Sequence, residues 1–302
     1  MTDCASQRRP LDILWRGPLD SCNYECVYCP FAKRAPSSAT LDRDRQALLR
    51  FVEWVLAGHG FSLRILFTPY GEALIWPWYR EALVRLSSAP QVRQVSIQTN
   101  GSGPMSFLNE ATRTKVSLWI SWHPTEISLI PFAQKIERLH SQGTRLSVGA
   151  VAVPDHLEQV EALRRALPDS VPMWLNAQKP GVRYRDGELS RWRSIDPEFD
   201  LDRRRHRSVG RACVTGEESI SIDGDGAISR CHFVGEVLGN LYTDDLETLL
   251  TPRPCPQQTC GCWIGYSNLA ELNLRSRYCS DGFLARIRTL PQPVPMEGGN
   301  SD

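Results

Sequence analysis

Cys22, Cys26 and Cys29 stand together in the stretch SCNYECVYCP, residues 21–30, in a CxxxCxxC spacing. Three clustered thiolates need a metal. A structural zinc site wants four ligands in closed tetrahedral order, and after Cys29 no further Cys or His follows until His59. The set is therefore open. An iron-sulfur cube held by three thiolates leaves one iron without a protein ligand, free to take a substrate or cofactor. A zinc knuckle is the plainer reading of the same thiols.

The elements that position this loop follow from the apolar periodicity. Residues 11–15 form a short apolar run that reads as a buried strand, with the cysteine loop leaving its C-terminal end. Residues 41–56 carry apolar side chains at helical spacing. Residues 62–68 read as a second strand, and the helix WYREALVRL follows Pro77, which is acceptable in a first turn. Strands are expected over 92–99, 116–121, 146–153 and 171–175, with helices over 107–112, 129–141 and 156–167. Six strands alternating with helices predict an α/β fold of parallel βα units with right-handed crossovers. A partial barrel and a doubly wound sheet both satisfy that pattern. In either, ligands bind at the carboxyl ends of the strands, so the residues there are the ones to inspect.

With Tyr28 as the aromatic residue directly before the last cysteine, the opening loop resembles the CxxxCxΦC signature of the radical S-adenosylmethionine (radical SAM) superfamily. The resemblance implies a partial (β/α)6 TIM-like barrel with the loop after strand one, a [4Fe-4S] cluster on Cys22, Cys26 and Cys29, and S-adenosylmethionine as cofactor, with Tyr28 at its site. Tyr70-Gly71-Glu72 falls where that family has its GGE motif, which binds the methionine amine; Tyr70 replaces the first glycine, and Gly71 and Glu72 keep the needed chemistry. Alone, this is a strand-end turn with a solvated Glu. Thr99-Asn100-Gly101 resembles the family's TNG, and by itself is a common Asn-Gly turn. Ser121-Trp122-His123 stands where many relatives have a Ser-x-Asp approaching the ribose. His123 replaces that Asp and is the candidate catalytic residue, for ribose binding, substrate orientation or proton donation, against the bland reading of a hydrogen-bonded structural histidine. The amides of Asn176 and Gln178 are candidate pocket lining.

From residue 179 to 211 the strand periodicity is lost, and the basic run DRRRHRS over 202–208 reads as a solvated helix face on a bridging segment. Beyond it six cysteines return: Cys213, Cys231, Cys255, Cys260, Cys262 and Cys279. Residues 219–231 read as a β-hairpin around Gly224-Asp225-Gly226 with thiols near its ends. Cys213 with the GAISRC stretch of 226–231 resembles the SPASM and twitch domains of one branch of radical SAM enzymes, which carry auxiliary iron-sulfur clusters. Two fully ligated cubes would need eight thiolates, so one auxiliary cluster, the twitch arrangement, fits the count. The resemblance points to Cys213, Cys231, Cys260 and Cys262 as ligands, with Cys255 as substitute; a Cys4 zinc site is the alternative. Cys4 and Cys279 are expected to be free thiols. The expected division is thus a radical SAM core over 1–178, a bridge over 179–211 and a small α+β iron-sulfur domain over 212–302.

The chain has 302 residues, 41% hydrophobic and 23% charged, ordinary values for a globular protein. A net charge of +1 argues against wholesale attraction to nucleic acid or anionic membrane. Without a signal peptide or membrane span, ten cysteines read as metal ligands and free thiols, and the expected compartment is the cytoplasm. Three functions are in play: modification of a peptide or protein side chain, oxidation of a small metabolite, and a zinc-stabilised binding module without activity. The short stretch before the first strand leaves no room for a leader-binding domain, so a peptide substrate would need a separate carrier. Either enzyme would need an electron donor such as flavodoxin or ferredoxin.

Overall fold

The computed structural model describes residues 8–31, 35–179, 182–278 and 281–288. Cys4 and Cys279 lie outside them. The first half is a βα succession: β1 (Arg9–Arg16), α1 (Ser38–Ala57), β2 (Phe61–Phe67), α2 (Pro77–Ser88), β3 (Val92–Thr99), β4 (Val116–Trp122), α3 (Leu129–Ser141), β5 (Arg145–Ala152), α4 (Leu157–Ala166) and β6 (Met173–Ala177). Ser37 caps α1, its hydroxyl accepting from Thr40 N at 3.1 Å, and Gly58 ends the helix at a positive φ of 76°.

β1 to β6 are parallel and lie side by side in chain order. A doubly wound sheet reverses its strand order at a switch point. This one never does, so its helices cover one face and the sheet curls into a partial barrel. The strands alternate strictly. Leu11, Ile13 and Trp15, Val95 and Ile97, Leu118 and Ile120, and Met173 and Leu175 face the helices. The other face turns polar and aromatic residues inward, among them Asp12, Gln94, Ser96, Ser117, Trp119, Ser147 and Trp174.

Three local expectations change. The β3 to β4 crossover holds only short 3-10 turns at Ser106–Asn109 and Arg113–Lys115 in place of a helix over 107–112. β6 begins two residues later than 171, because Val171 is taken into a turn on Pro168 and Pro172 has no N–H to give. Asn176 and Ala177 are therefore strand residues.

The segment after 179 folds onto the barrel. α5 (Asp186–Ile195) and α6 (Phe199–Arg203) bury Leu189, Trp192, Ile195 and Phe199 in the same core. Within the basic run, Asp202 is buried, accepting from Ala177 N at 2.7 Å and from Tyr266 Oη at 3.1 Å, while Arg203 pairs with Asp200. β7 (His206–Arg207) follows, then β8 (Ser219–Asp223), β9 (Ala227–Ser229) and β10 (Val237–Asn240). The hairpin expected around 224–226 is present, and β8 pairs parallel to β1, so one sheet runs β10-β9-β8-β1-β2-β3-β4-β5-β6. α7 (Leu246–Leu249), β11 (Thr259–Cys260), which pairs with β7, and α8 (Trp263–Tyr266) complete the chain's regular elements.

The inside of the barrel is filled by the C-terminal segment. Trp263, Tyr266, Leu274, Tyr278, Phe283 and Leu284 pack with Leu14, Leu66, Trp119 and Trp174 from the inward faces of the strands. Gly149 makes room for this: a Cβ there would stand 2.1 Å from the Trp174 ring. Below the aromatics, Asp12 receives Arg64 from β2 at 2.6 Å and Arg275 from the C-terminal segment at 2.9 Å. Among the described residues no helix is long and apolar enough to cross a membrane.

Candidate active site

At the C-terminal ends of β1 to β6 the barrel opens into a cavity of about 330 Å³. Its wall includes Cys22, Cys26, Cys29 and Tyr28 from the loop after β1, Gly71 and Glu72 after β2, Gln98 and Asn100 at β3, Ser121 and His123 at β4, and Asn176 and Gln178 at β6. The candidate residues of the first cysteine set and of the four strand ends thus meet at one place.

The loops brace one another through backbone. Ser21 O accepts from Glu72 N at 3.0 Å and Leu19 O from Tyr70 N at 3.3 Å, so the segment leading into Cys22 lies flat against 70–72. Only glycine fits at 71, since a Cβ there would come within 1.7 Å of Ser21 O. Glu72 is buried. Its Oε1 accepts from Leu74 N at 2.9 Å and Thr99 Oγ1 at 2.7 Å, and its Oε2 from Asn100 N at 2.5 Å. Burial raises its carboxyl, while Asn100 N, Thr99 and Leu74 pull the other way. Asn100 in turn donates from Nδ2 to Asn23 Oδ1 at 3.1 Å. Glu72 and Asn100 therefore hold the cysteine loop in place, and Oε2 keeps a lone pair for a cation. Tyr70 also lines the cavity. Its ring packs on Phe31 at 5.0 Å, with the Arg16 guanidinium 4.2 Å above it.

His123 is tied to the same loop. Its Nδ1 lies 3.0 Å from Tyr28 Oη and the two rings stack at 5.9 Å. Burial lowers the imidazole to about 4 against a small opposing pull from Glu126, so His123 is neutral at neutral pH and cannot serve as an imidazolium proton donor there. Ribose contact or orientation suits a neutral ring. Cys26 is buried and its thiol is pushed up to about 11, chiefly by burial; Cys22 moves the same way. Such thiols are inert as nucleophiles at neutral pH and ionise when a metal takes the place of the proton.

A second cavity, of about 370 Å³, is lined by Cys213, Cys231, Cys255, Cys260 and Cys262. Cys231 lies just past β9 and Cys260 ends β11. Gly265 lets the Cys260 sulfur approach, since a Cβ there would stand 2.6 Å from Sγ. Burial raises Cys231, and raises Cys260 to about 12. The charged neighbours of Cys231 include Cys213 and Cys255, and those of Cys260 are Cys231, Cys262 and Cys255. Those of Cys262 are instead Asp202, Lys179 and Arg16. Cys255 and Cys262 both line this cavity and both neighbour Cys260, and Cys262 also has Lys179 near it. Among the described residues no three His, Cys, Asp or Glu side chains converge on a point that would seat one metal ion.

The two cavities share Lys179, whose Nζ donates to Gly261 O at 2.5 Å. His232, next to Cys231, has Nε2 3.0 Å from Thr68 Oγ1, and Arg16 Nε donates to Thr68 O at 2.8 Å, so the hairpin is fastened to the end of β2. Sequence reasoning missed Gln98, Lys179 and His232. Gln98 had a signal: in the alternating stretch VRQVSIQT the polar positions are those that a barrel turns inward.

No family model matches the chain, and no curated protein matches it. Solved structures do. Native anSMEcpe with bound AdoMet is 15% identical, with a TM-score of 0.57 over 80% of this chain and 81% of that chain. Native anSMEcpe with bound AdoMet and Kp18Cys peptide is 12% identical, with a TM-score of 0.54 over 80% of this chain and 81% of that chain. Streptococcus suis SuiB bound to S-adenosylmethionine is 15% identical, with a TM-score of 0.53 over 81% of this chain and 66% of that chain. At such identities the likeness speaks for the architecture alone: this chain has the partial-barrel fold of the radical SAM enzymes.

Proposed function

We propose that the protein is a radical SAM enzyme with an auxiliary iron-sulfur cluster, and that it oxidises a substrate carbon. The observation that carries the reading is the convergence of three thiols from one loop with Gly71, Glu72, Asn100, Ser121 and His123 on a single cavity at the carboxyl ends of a partial barrel. When bound, a [4Fe-4S] cluster with S-adenosylmethionine on its open iron supplies reductive cleavage to methionine and a 5'-deoxyadenosyl radical. The protein's part is position and dryness. Cys22, Cys26 and Cys29 would hold the cluster, Tyr28 would keep His123 in place, Glu72 would offer Oε2 to the methionine ammonium, and Ser121 and neutral His123 would be available to the adenosine.

Cys213, Cys231, Cys260 and Cys262, with Cys255 as substitute, would be the ligands of the second cluster, a reading supported by the one cavity that all five line. A fully ligated cluster would have no open iron and could accept the one electron that the substrate radical loses after hydrogen abstraction, completing a two-electron oxidation, while a flavodoxin or ferredoxin would supply the separate electron that cleaves S-adenosylmethionine. For the substrate, the likeness to anSMEcpe with bound AdoMet and Kp18Cys peptide supports a peptide over a small metabolite.

The test is incubation of the anaerobically reconstituted protein with reductant and S-adenosylmethionine. A brown protein that forms 5'-deoxyadenosine is the expected result; a colourless one that forms none ends the reading. Cys231→Ala is expected to lose about four irons per chain yet keep most 5'-deoxyadenosine formation. Loss of that activity with an unchanged melting curve would count against a separate second cluster.

A further inference from the structure

Arg286 is buried, 2% exposed, at a left-handed φ of 54° inside the barrel. Its guanidinium lies over three tryptophan rings, Trp174 at 4.5 Å, Trp263 at 5.0 Å and Trp119 at 5.6 Å. Among the described residues no carboxylate lies within ion-pair distance of it, and its Nε has no partner. Burying a cation without an acid is costly, and the ring faces offset only part of that cost. An apolar side chain would fill the space more cheaply. The one directional contact that Arg286 makes is Nη1 to Asn176 Oδ1 at 2.8 Å.

Asn176 stands at the inward, C-terminal end of β6 and lines the cavity. A carboxamide has two ends of the same shape, an acceptor and a double donor, and only its partners decide which way it points. A guanidinium has no acceptor, so Oδ1 must be the end held by Arg286. The Nδ2 donors are left to the cavity, and no described residue takes them. We infer that Arg286 is a positioning residue: through the C-terminal segment that fills the barrel, it locks Asn176 so that the amide donates to an acceptor on S-adenosylmethionine. The inference rests on the proposed function in taking that molecule as the cavity's ligand. It also explains why a cation, with its donors, occupies a cage that methionine or leucine could fill.

The test is equilibrium binding of S-adenosylmethionine to the reconstituted full chain, with melting curves and iron content on the same samples. Arg286→Met, which fills the tryptophan cage, and Asn176→Ala are each expected to raise Kd about tenfold, the worth of one hydrogen bond. The double variant should be no worse than either single one, because both break one device. Asn176→Asp gives Arg286 a carboxylate, so it should melt no lower than the parent and still bind about tenfold more weakly, having no donor to offer. Wild-type affinity in Arg286→Met, or effects that multiply in the double variant, would overturn the inference. Should Arg286→Met fail to fold, Asn176→Asp decides, and undiminished binding by it overturns the inference equally. A parent protein that does not bind S-adenosylmethionine at all would refute the proposed function instead.

Discussion

Replacing Cys22, Cys26 and Cys29 together by Ala will abolish cleavage of S-adenosylmethionine, by at least about a thousandfold in 5'-deoxyadenosine yield, and leave the fold standing. The loop's frame does not depend on sulfur. It is held by Cys29 N to Cys26 O at 3.0 Å, Glu72 N to Ser21 O at 3.0 Å, and the amide contact of Asn100 with Asn23. The thiols add weak contacts, Tyr24 N to Cys22 Sγ at 3.4 Å, Asn100 Nδ2 to Cys22 Sγ at 3.8 Å and Cys26 with Tyr28. Truncating one buried Cys and two half-buried ones costs about 1 kcal/mol each at most, within what a barrel of this size tolerates. Iron should fall by about four atoms per chain, the share of one cube, and the rest should stay with the C-terminal thiols. Circular dichroism, iron content and product analysis on one preparation check all three statements. Cleavage at the parent's level would sink the assignment of this loop, and loss of all iron would contradict two separate sites.

Gly71→Ala will also be damaging, without removing any ligand. Its Cβ would stand 1.7 Å from the carbonyl oxygen of Ser21, 2.4 Å from that carbonyl carbon and 3.0 Å from Ser21 N. These are backbone atoms, pinned by Glu72 N and Tyr70 N, and cannot step aside as a flexible side chain would. The chain leading into Cys22 must move, taking the thiol with it. Overpacking against backbone costs about 3 kcal/mol or more, and misplacement by an ångström at a reacting centre costs about a hundredfold in rate. The expected result is a melting temperature lower by several degrees and at least a hundredfold less 5'-deoxyadenosine. Gly187→Ala is the control: a Cβ at that position meets nothing within 4 Å. A Gly71→Ala protein with the parent's iron and activity would show that the contact between the two loops is dispensable.

How much of this was legible beforehand depended on whether the signal was local. The CxxxCxxC loop, the strand ends at Gly71, Asn100 and Ser121, and the hairpin at 224–226 are written in adjacent residues, and the structure brings the first four together. The pairing of β8 with β1 is not local. Nothing in the periodicity of either strand names its neighbour, so the hairpin read as part of a separate module when it extends the barrel's sheet. The same holds for the segment 179–211. Its polar composition hid Leu189, Trp192 and Phe199, which face the core from short helices, and Asp202, which looked solvated in a basic run and is buried under Tyr266. The C-terminal segment from 263 to 288 is built of single turns, and no period of 2 or 3.6 marks it as the filling of a barrel. The C-terminal thiols follow a related rule: spacing says which of them are near in sequence, and the fold of 206–262, closed by β7 and β11, brings Cys213, Cys231, Cys255, Cys260 and Cys262 to one cavity.

β1 carries the cysteine loop and lies between β2 and β8, with Asp12 N also donating to Glu218 O and its carboxylate reaching Arg275. A ribosome delivers β2 almost at once and β8 only after about two-thirds of the chain has followed. Through that interval one edge of β1 has no strand beside it and Asp12 lacks one of its two arginines. Pairing across so long a separation is slow, and an open edge meanwhile invites wrong partners. The strand that bears the first thiols is thus among the last to be secured. Any metal for those thiols would find β1 fully flanked only after β8 has been made, late in synthesis, which gives the nascent chain a use for chaperones while it waits.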